Sequence, residues 1–286
     1  MGERKPYQLV SREWKSEDTT FMVNGTLIGK DLLMVAGPCA GENKEQMCTI
    51  TEFLSKQNIK FLRGGAFKPR TSPYSFQGLK SEGLDIMRDA ADKYGMAVVS
   101  EIMSAEHIAE FTEKVDILQV GTRNMQNYPL LRALGKTNKP ILLKRGMSST
   151  IEEWLLAAEY IVSSGNEKVI LCERGIRTFE NATRNTIDIS AIAMVKMLSH
   201  LPVILDPSQG TGFRDLVEPM SCAGIAAGAD GLIVEVHNQP EVALSDGDQS
   251  LFLDQFKNML PKLVGQAKLR SKHFDFEMPS LSKSLN

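Results

Sequence analysis

PILLKRG (140–146), TIEEWLLAAEYIVSSG (150–165) and KVILCERG (168–175) follow one another in the chain. The outer two are short apolar runs that stop at charge and glycine, as strands buried on both faces do. The middle one opens on Thr150, carries Glu153 three residues on and closes on Gly165, which predicts a capped helix. Strand, helix and strand in this order make a parallel βαβ unit. The same rhythm continues outward. Upstream lie LLMVAGPC (32–39), IKFLRGG (59–65), MAVVSEI (96–102) and ILQVGTR (117–123); downstream lie PVILDPS (202–208) and GLIVEVH (231–237). Helical patterns fill 45–57, 81–95 (Ser81 its expected cap), 104–115, 127–136, 189–200, 218–228 and 250–268. The alternation predicts an α/β chain folded as a single (β/α)8 TIM barrel over residues 31–268. A doubly wound sheet is disfavoured, because neither GxGxxG nor GxxxxGK[ST] occurs. Residues 1–30 read as a short N-terminal extension or hairpin closing the barrel's bottom, and 269–286 as a flexible C-terminal tail.

The chain has 286 residues, 42% hydrophobic and 24% charged, which excludes disorder as its dominant state. Lys and Arg number 33 against 35 Asp and Glu, so there is no basic field for nucleic acid. No apolar run approaches the roughly 18–20 residues that span a bilayer, and the start MGERKP fits neither a signal peptide nor, with Pro6, a myristoylation site. Cys39, Cys48, Cys172 and Cys222 are scattered without CxxC spacing, which reads as reduced thiols of a cytoplasmic protein. Trp14 and Trp154 read as packing residues, and His107, His200 and His273 as surface residues.

In such barrels the site lies at the C-terminal ends of the strands. Here those ends carry Cys39, Arg63, Glu101, Arg123, Lys144, Arg174, Asp206 and Glu235. Strand side chains alternate faces, so Leu142 with Lys144, Ile204 with Asp206, and Ile233 with Glu235 and His237 share a face. The face that packs the interior lower down therefore carries charge at the mouth. Arg63, Lys68, Arg70, Arg123, Lys144 and Arg174 on one rim suit small polyanions, phosphate esters above all. Local pairing with Glu101, Glu173 or Glu235 is the competing reading for any one of them. Cys39, Glu235 and Asp246, with His237 as a further candidate, combine donors that suit a divalent transition metal.

At these residues the chain closely resembles the 3-deoxy-D-arabino-heptulosonate 7-phosphate (DAHP) synthases, in the type I-beta subfamily, without a regulatory domain. The matching motifs are AGPCAGE (36–42), LRGGAFKPRTSPYSFQG (62–78), QVGTRNMQN (119–127), LLKRG (142–146), LCERGIRTFE (171–180), DPSQGTG (206–212) and IVEVHNQPEVALSDG (233–247). The resemblance implies a (β/α)8 transferase that condenses phosphoenolpyruvate with erythrose 4-phosphate and releases phosphate. That reaction opens the shikimate pathway to chorismate and the aromatic amino acids. It implies that Arg63, Lys68, Arg123, Lys144 and Arg174 hold phosphoenolpyruvate. Arg70, Thr71 and Ser72 would hold the sugar phosphate, and Asp206 the sugar hydroxyls. Lys68, Cys39 and Glu235 are the implied catalytic group, and the implied metal ligands are Cys39, Gln209, Glu235 and Asp246, binding Mn2+ or a similar divalent ion. KPRTS at 68–72 favours the four-carbon aldehyde over arabinose 5-phosphate, whose enzymes resemble KANRS there. A homodimer or homotetramer is implied, with room for a separate chorismate mutase partner.

The family's fourth metal ligand is His, where this chain has Gln209. An amide carbonyl binds transition metals more weakly than imidazole and takes no part in acid–base chemistry near neutrality. Three readings stand open: an active synthase with three strong ligands plus Gln209 or water, a site that has lost its metal, and an inactive or engineered variant that still binds phosphoenolpyruvate. About 30 residues precede the first barrel strand, too few for a regulatory or mutase domain. No built-in inhibition by tyrosine or phenylalanine is expected.

Overall fold

The computed structural model describes residues 6–278. An antiparallel hairpin, β1 (Phe21–Val23) and β2 (Thr26–Ile28), turns at Asn24 and Gly25, both at positive φ. The barrel strands follow: β3 (Leu33–Gly37), β4 (Phe61–Arg63), β5 (Ala97–Glu101), β6 (Ile117–Val120), β7 (Ile141–Lys144), β8 (Val169–Glu173), β9 (Val203–Leu205) and β10 (Gly231–Glu235). They pair in parallel in chain order, and β10 closes the barrel on β3. The helices are α1 (Lys44–Lys56), α2 (Ser81–Asp92), α3 (Ile108–Lys114), α4 (Tyr128–Leu134), α5 (Ile151–Val162), α6 (Ile189–Leu198), α7 (Pro207–Thr211), α8 (Val217–Ala227) and α9 (Leu253–Leu269). No helix among the described residues is long and apolar enough to cross a membrane.

Alternation along the strands sorts the core into two shells. Val35, Phe61, Val99, Ile117, Leu142, Ile170, Ile204 and Ile233 pack inside the barrel. Met34, Leu62, Val98, Leu118, Leu143, Leu171, Leu205 and Val234 point outward into the helix layer. One step further along the inward row stand Arg63, Glu101, Gln119, Lys144, Asp206 and Glu235. The interior changes from hydrocarbon to charge within one repeat of the pleat.

The hairpin seals the bottom: Phe21 and Ile28 join the inner core, with Val23 packed against it. The expected flexible tail is corrected over residues 270–278. Phe274 bridges to Leu32, the Asp275 amide donates to the Leu32 carbonyl at 3.0 Å, and Phe274 and Phe276 are buried. The rest of that tail lies outside the described residues, as do residues 1–5.

α5 carries the expected capping box between Thr150 and Glu153. α2 does not begin as expected. Lys80 occupies its cap position, and the Ser81 hydroxyl donates to Glu110 instead. Several strands end earlier than the apolar runs suggest. Pro207 stops β9, and with the Asp206 side chain as cap it opens the short helix α7 in place of the strand end expected at 206–208. Trp14 is exposed rather than packed, because Arg12 and Ser11 of its segment make the contacts to the α6 end. His200 is buried rather than at the surface, held by Thr19 and the Leu9 carbonyl.

Candidate active site

A cavity of about 460 Å3 opens over the C-terminal ends of the strands. Lys68, Arg70, Thr71, Ser72, Arg123, Lys144, Arg174, Gln209 and Asp246 all line it. Cys39 and Arg63 line a smaller inner pocket that shares Lys68, Glu101 and Gln209 with the main cavity. The predicted cations therefore do converge. The sequence reading missed Arg177, Arg184, Asn185 and Met147, which also line the cavity. Arg177, Arg184 and Asn185 lie in the loop after β8, in GIRTFENATRN (175–185), and Met147 in the loop after β7; none of them follows a strand periodicity.

Local geometry fixes each group. Gly37, at φ +148, lets β3 pass so close to β4 that a Cβ there would run into the Arg63 carbonyl. Lys68 donates to the Cys39 carbonyl at 2.9 Å and to Cys39 Sγ at 3.0 Å. Lys144 Nζ lies 2.5 Å from Asp206 Oδ2. Arg63 reaches Glu235 Oε1 at 3.1 Å. Arg70 Nη1 donates to the Ser245 hydroxyl at 2.6 Å, and Arg123 Nη1 reaches the Pro69 carbonyl at 3.5 Å. Arg145 packs beneath the rim on Glu173 and Asp188.

Donors exceed acceptors in this pocket. Arg63 Nε and Nη1 and Arg174 Nε are buried without a hydrogen-bond partner among the described residues. Burial pushes the Arg174 guanidinium below its ordinary range, with Asp206 opposing. Unmade hydrogen bonds of buried cations cost free energy, which an anionic ligand recovers.

Asp206 sits at the root of α7. It is fully buried, its Oδ1 accepts from the Gln209 amide at 2.9 Å, and its Oδ2 takes Lys144. Both oxygens are engaged, one as the cap of α7 and one with Lys144. Burial works to raise its carboxyl, but Lys144 and Arg63 outweigh this and hold it below the usual range.

Cys39 Sγ, a Glu235 oxygen and an Asp246 oxygen all lie within 4.8 Å of one another. Cys39 Sγ donates to Asp246 Oδ2 at 3.0 Å. Burial pushes the Cys39 thiol up to about 12, with Glu235 adding to it. Burial also raises Glu235, against Arg63 and with Asp246. Acids crowded in a dry site raise one another in this way, and a divalent cation at their centre removes the conflict. The donor set fits such an ion. His237 stays apart, with Nε2 on Gln46 at 2.8 Å and Nδ1 accepting from the Gln239 amide.

Comparison with known proteins bears on this arrangement. The model of the DAHP synthetase I family matches residues 14–271. A phospho-2-dehydro-3-deoxyheptonate aldolase of Thermotoga maritima is 55% identical over 260 residues, covering 91% of this chain and 77% of the relative. The crystal structure of a phospho-2-dehydro-3-deoxyheptonate aldolase (DAHP synthase) from the same organism superposes with a TM-score of 0.93 at 52% identity, over 96% of this chain and 80% of that one. A 2-dehydro-3-deoxyphosphooctonate aldolase of Syntrophobacter fumaroxidans is 32% identical over 263 residues, covering 85% of this chain and 90% of the relative.

Proposed function

The chain belongs to the DAHP synthetase I family, and from that premise we infer that it condenses phosphoenolpyruvate with erythrose 4-phosphate and water to give the seven-carbon keto acid phosphate and inorganic phosphate. The observation that carries this is the cationic cavity at the barrel mouth, with orphaned guanidinium donors beside a thiol–carboxylate cluster. C3 of phosphoenolpyruvate attacks the aldehyde carbon. Negative charge grows on the aldehyde oxygen and positive character on C2. Water then adds at C2, and phosphate leaves as the C–O bond breaks.

Charge and position support each residue role. Arg63, Lys68, Arg123, Lys144 and Arg174 hold the phosphate and carboxylate of phosphoenolpyruvate, offsetting the repulsion between two anionic substrates. Arg70, Thr71 and Ser72 line the outer cavity and take the phosphate of the four-carbon sugar. Cys39, Glu235 and Asp246 hold the divalent ion, Mn2+ or a similar one. When bound, that ion polarises the aldehyde carbonyl as a Lewis acid. The reading extends to a homodimer or homotetramer, which the exposed apolar side chains of Trp14, Met194 and Met197 support. It extends to the cytoplasm, which the free cysteines support.

The test follows phosphoenolpyruvate loss and phosphate release with erythrose 4-phosphate or arabinose 5-phosphate, each with Mn2+ and with chelator. Mn2+-dependent turnover of the four-carbon sugar is expected. Turnover of the five-carbon sugar at equal or higher kcat/KM overturns the substrate assignment.

A further inference from the structure

We propose that Gln209 is not a metal ligand but an amide bridge between Lys144 and Glu235, so that Cys39, Glu235 and Asp246 alone hold the cation and one coordination position is left to solvent. The inference rests on the reading above that this cluster binds a divalent ion.

Gln209 is pinned through both of its backbone polar groups. Its N–H donates to Asp206 Oδ1 at 2.9 Å, and its carbonyl accepts from Asn185 Nδ2 at 3.3 Å. The side chain then reaches two charged neighbours at once. Its Oε1 accepts from Lys144 Nζ at 3.4 Å, and its Nε2 donates to Glu235 Oε1 at 3.4 Å. The partners dictate which end of the amide faces which. The Lys144 ammonium only donates, so it takes Oε1 and turns Nε2 toward Glu235. Turning the amide to offer Oε1 to a cation beside Glu235 sets its N–H groups against the Lys144 ammonium and takes a donor from Glu235. Lys144 is itself buried and held against Asp206 at 2.5 Å.

Gln249 supports the same assignment from the other side. Its Nε2 donates to Glu235 Oε2 at 2.5 Å, while its Oε1 accepts from Arg184 Nη1 at 2.6 Å. Two amides thus flank one carboxylate, each with its oxygen on a cation and its N–H on Glu235. They orient the ligand rather than add to it. An imidazole at 209 differs, because in its neutral form it offers a nitrogen lone pair to the ion and still keeps one N–H.

The test uses the full chain loaded with Mn2+ and free of substrates. Water-proton relaxation counts the waters on the ion, and the electron-spin signal of free Mn2+ gives the affinity. Wild type and Gln209→Ala are expected to show the same hydration, with affinities within about threefold because Arg63 still holds Glu235 Oε1. Gln209→His is expected to lose a water and bind Mn2+ about tenfold more tightly. A Gln209→Ala chain that gains a water, or a Gln209→His chain with unchanged hydration, overturns the bridge. Asp246→Asn separates the two levels. If it binds Mn2+ as tightly as wild type, the cation site itself falls and the bridge with it; if it loses binding, the Gln209 variants decide the bridge alone.

Discussion

At the mouth of the barrel Asp206 is buried between Lys144 and Arg63; at its floor Asp275 is buried against a backbone amide, a hydroxyl and apolar side chains. The two carboxyls respond in opposite ways. Burial works to raise both. At Asp206 the cations win and hold the group ionised. At Asp275 the Met34 amide, Lys60 and the Thr26 hydroxyl counter burial only in part, and the group is pushed up to about 7. The mouth concentrates buried charge and leaves cationic donors unmade, so its polar groups are completed by what binds there. The floor is completed by the chain itself, through the hairpin and the C-terminal segment. One end of the barrel is arranged for anions, the other for closure.

Substitutions should separate the two ends by what they damage. Lys144→Met should lower kcat/KM for phosphoenolpyruvate by roughly a thousandfold or more, since it removes a cation from both the substrate and Asp206. Steady-state kinetics within tenfold of wild type would remove the mouth as the reacting centre. Phe276→Ala, at the floor, should cost about 3 kcal/mol in urea unfolding and leave kcat unchanged for the folded fraction. A large fall in kcat there would mean that the ends are not independent. Arg70→Ala should raise KM for erythrose 4-phosphate about tenfold and leave KM for phosphoenolpyruvate nearly unchanged. Equal losses for both substrates would break the division of the cavity into an inner and an outer anion site.

The mouth was far more legible in the sequence than the floor. Strand pleating obeys a period of two, so Ile204 with Asp206 and Ile233 with Glu235 announce their shared face. Lys68, Arg70 and Asp246 lie on loops where periodicity does not reach, and their charge and donor chemistry single them out. Arg177 and Arg184 sit on a loop as well and went unread. Sequence places Asp206 at the mouth but does not show that Lys144 Nζ pairs with it there. KHFDFE (272–277) reads as a polar tail. Its burial depends on Leu32 offering an unpaired strand edge, a fact of the closed barrel and not of the segment.

The pH dependence of stability gives the sharpest contrast. Asp275 has an ordinary value of 3.8 and a folded value of about 7. Between these the folded chain keeps a proton that the unfolded chain has released, so rising pH favours unfolding across that window. Its protonated form stabilises fully below about pH 4, and that contribution is lost as pH climbs through 7. Asp275→Asn keeps an acceptor for the Met34 amide and sets an amide N–H beside the Thr26 hydroxyl, which donates to Oδ2 in the wild type, while removing the titration. The stability of wild type relative to Asp275→Asn should therefore fall between pH 4 and 7, by on the order of 1–3 kcal/mol. Asp206→Asn should show the reverse slope. Its folded carboxyl lies below the ordinary value, so its contribution is present at neutral pH and is lost as pH falls through the folded value. Urea denaturation of the three chains measures both slopes, that of Asp275 between pH 4 and 7 and that of Asp206 below pH 4. Parallel pH profiles for the two variants would mean that the ends of the barrel treat a buried carboxyl alike, and the distinction between a mouth arranged for charge and a floor arranged for closure would not survive.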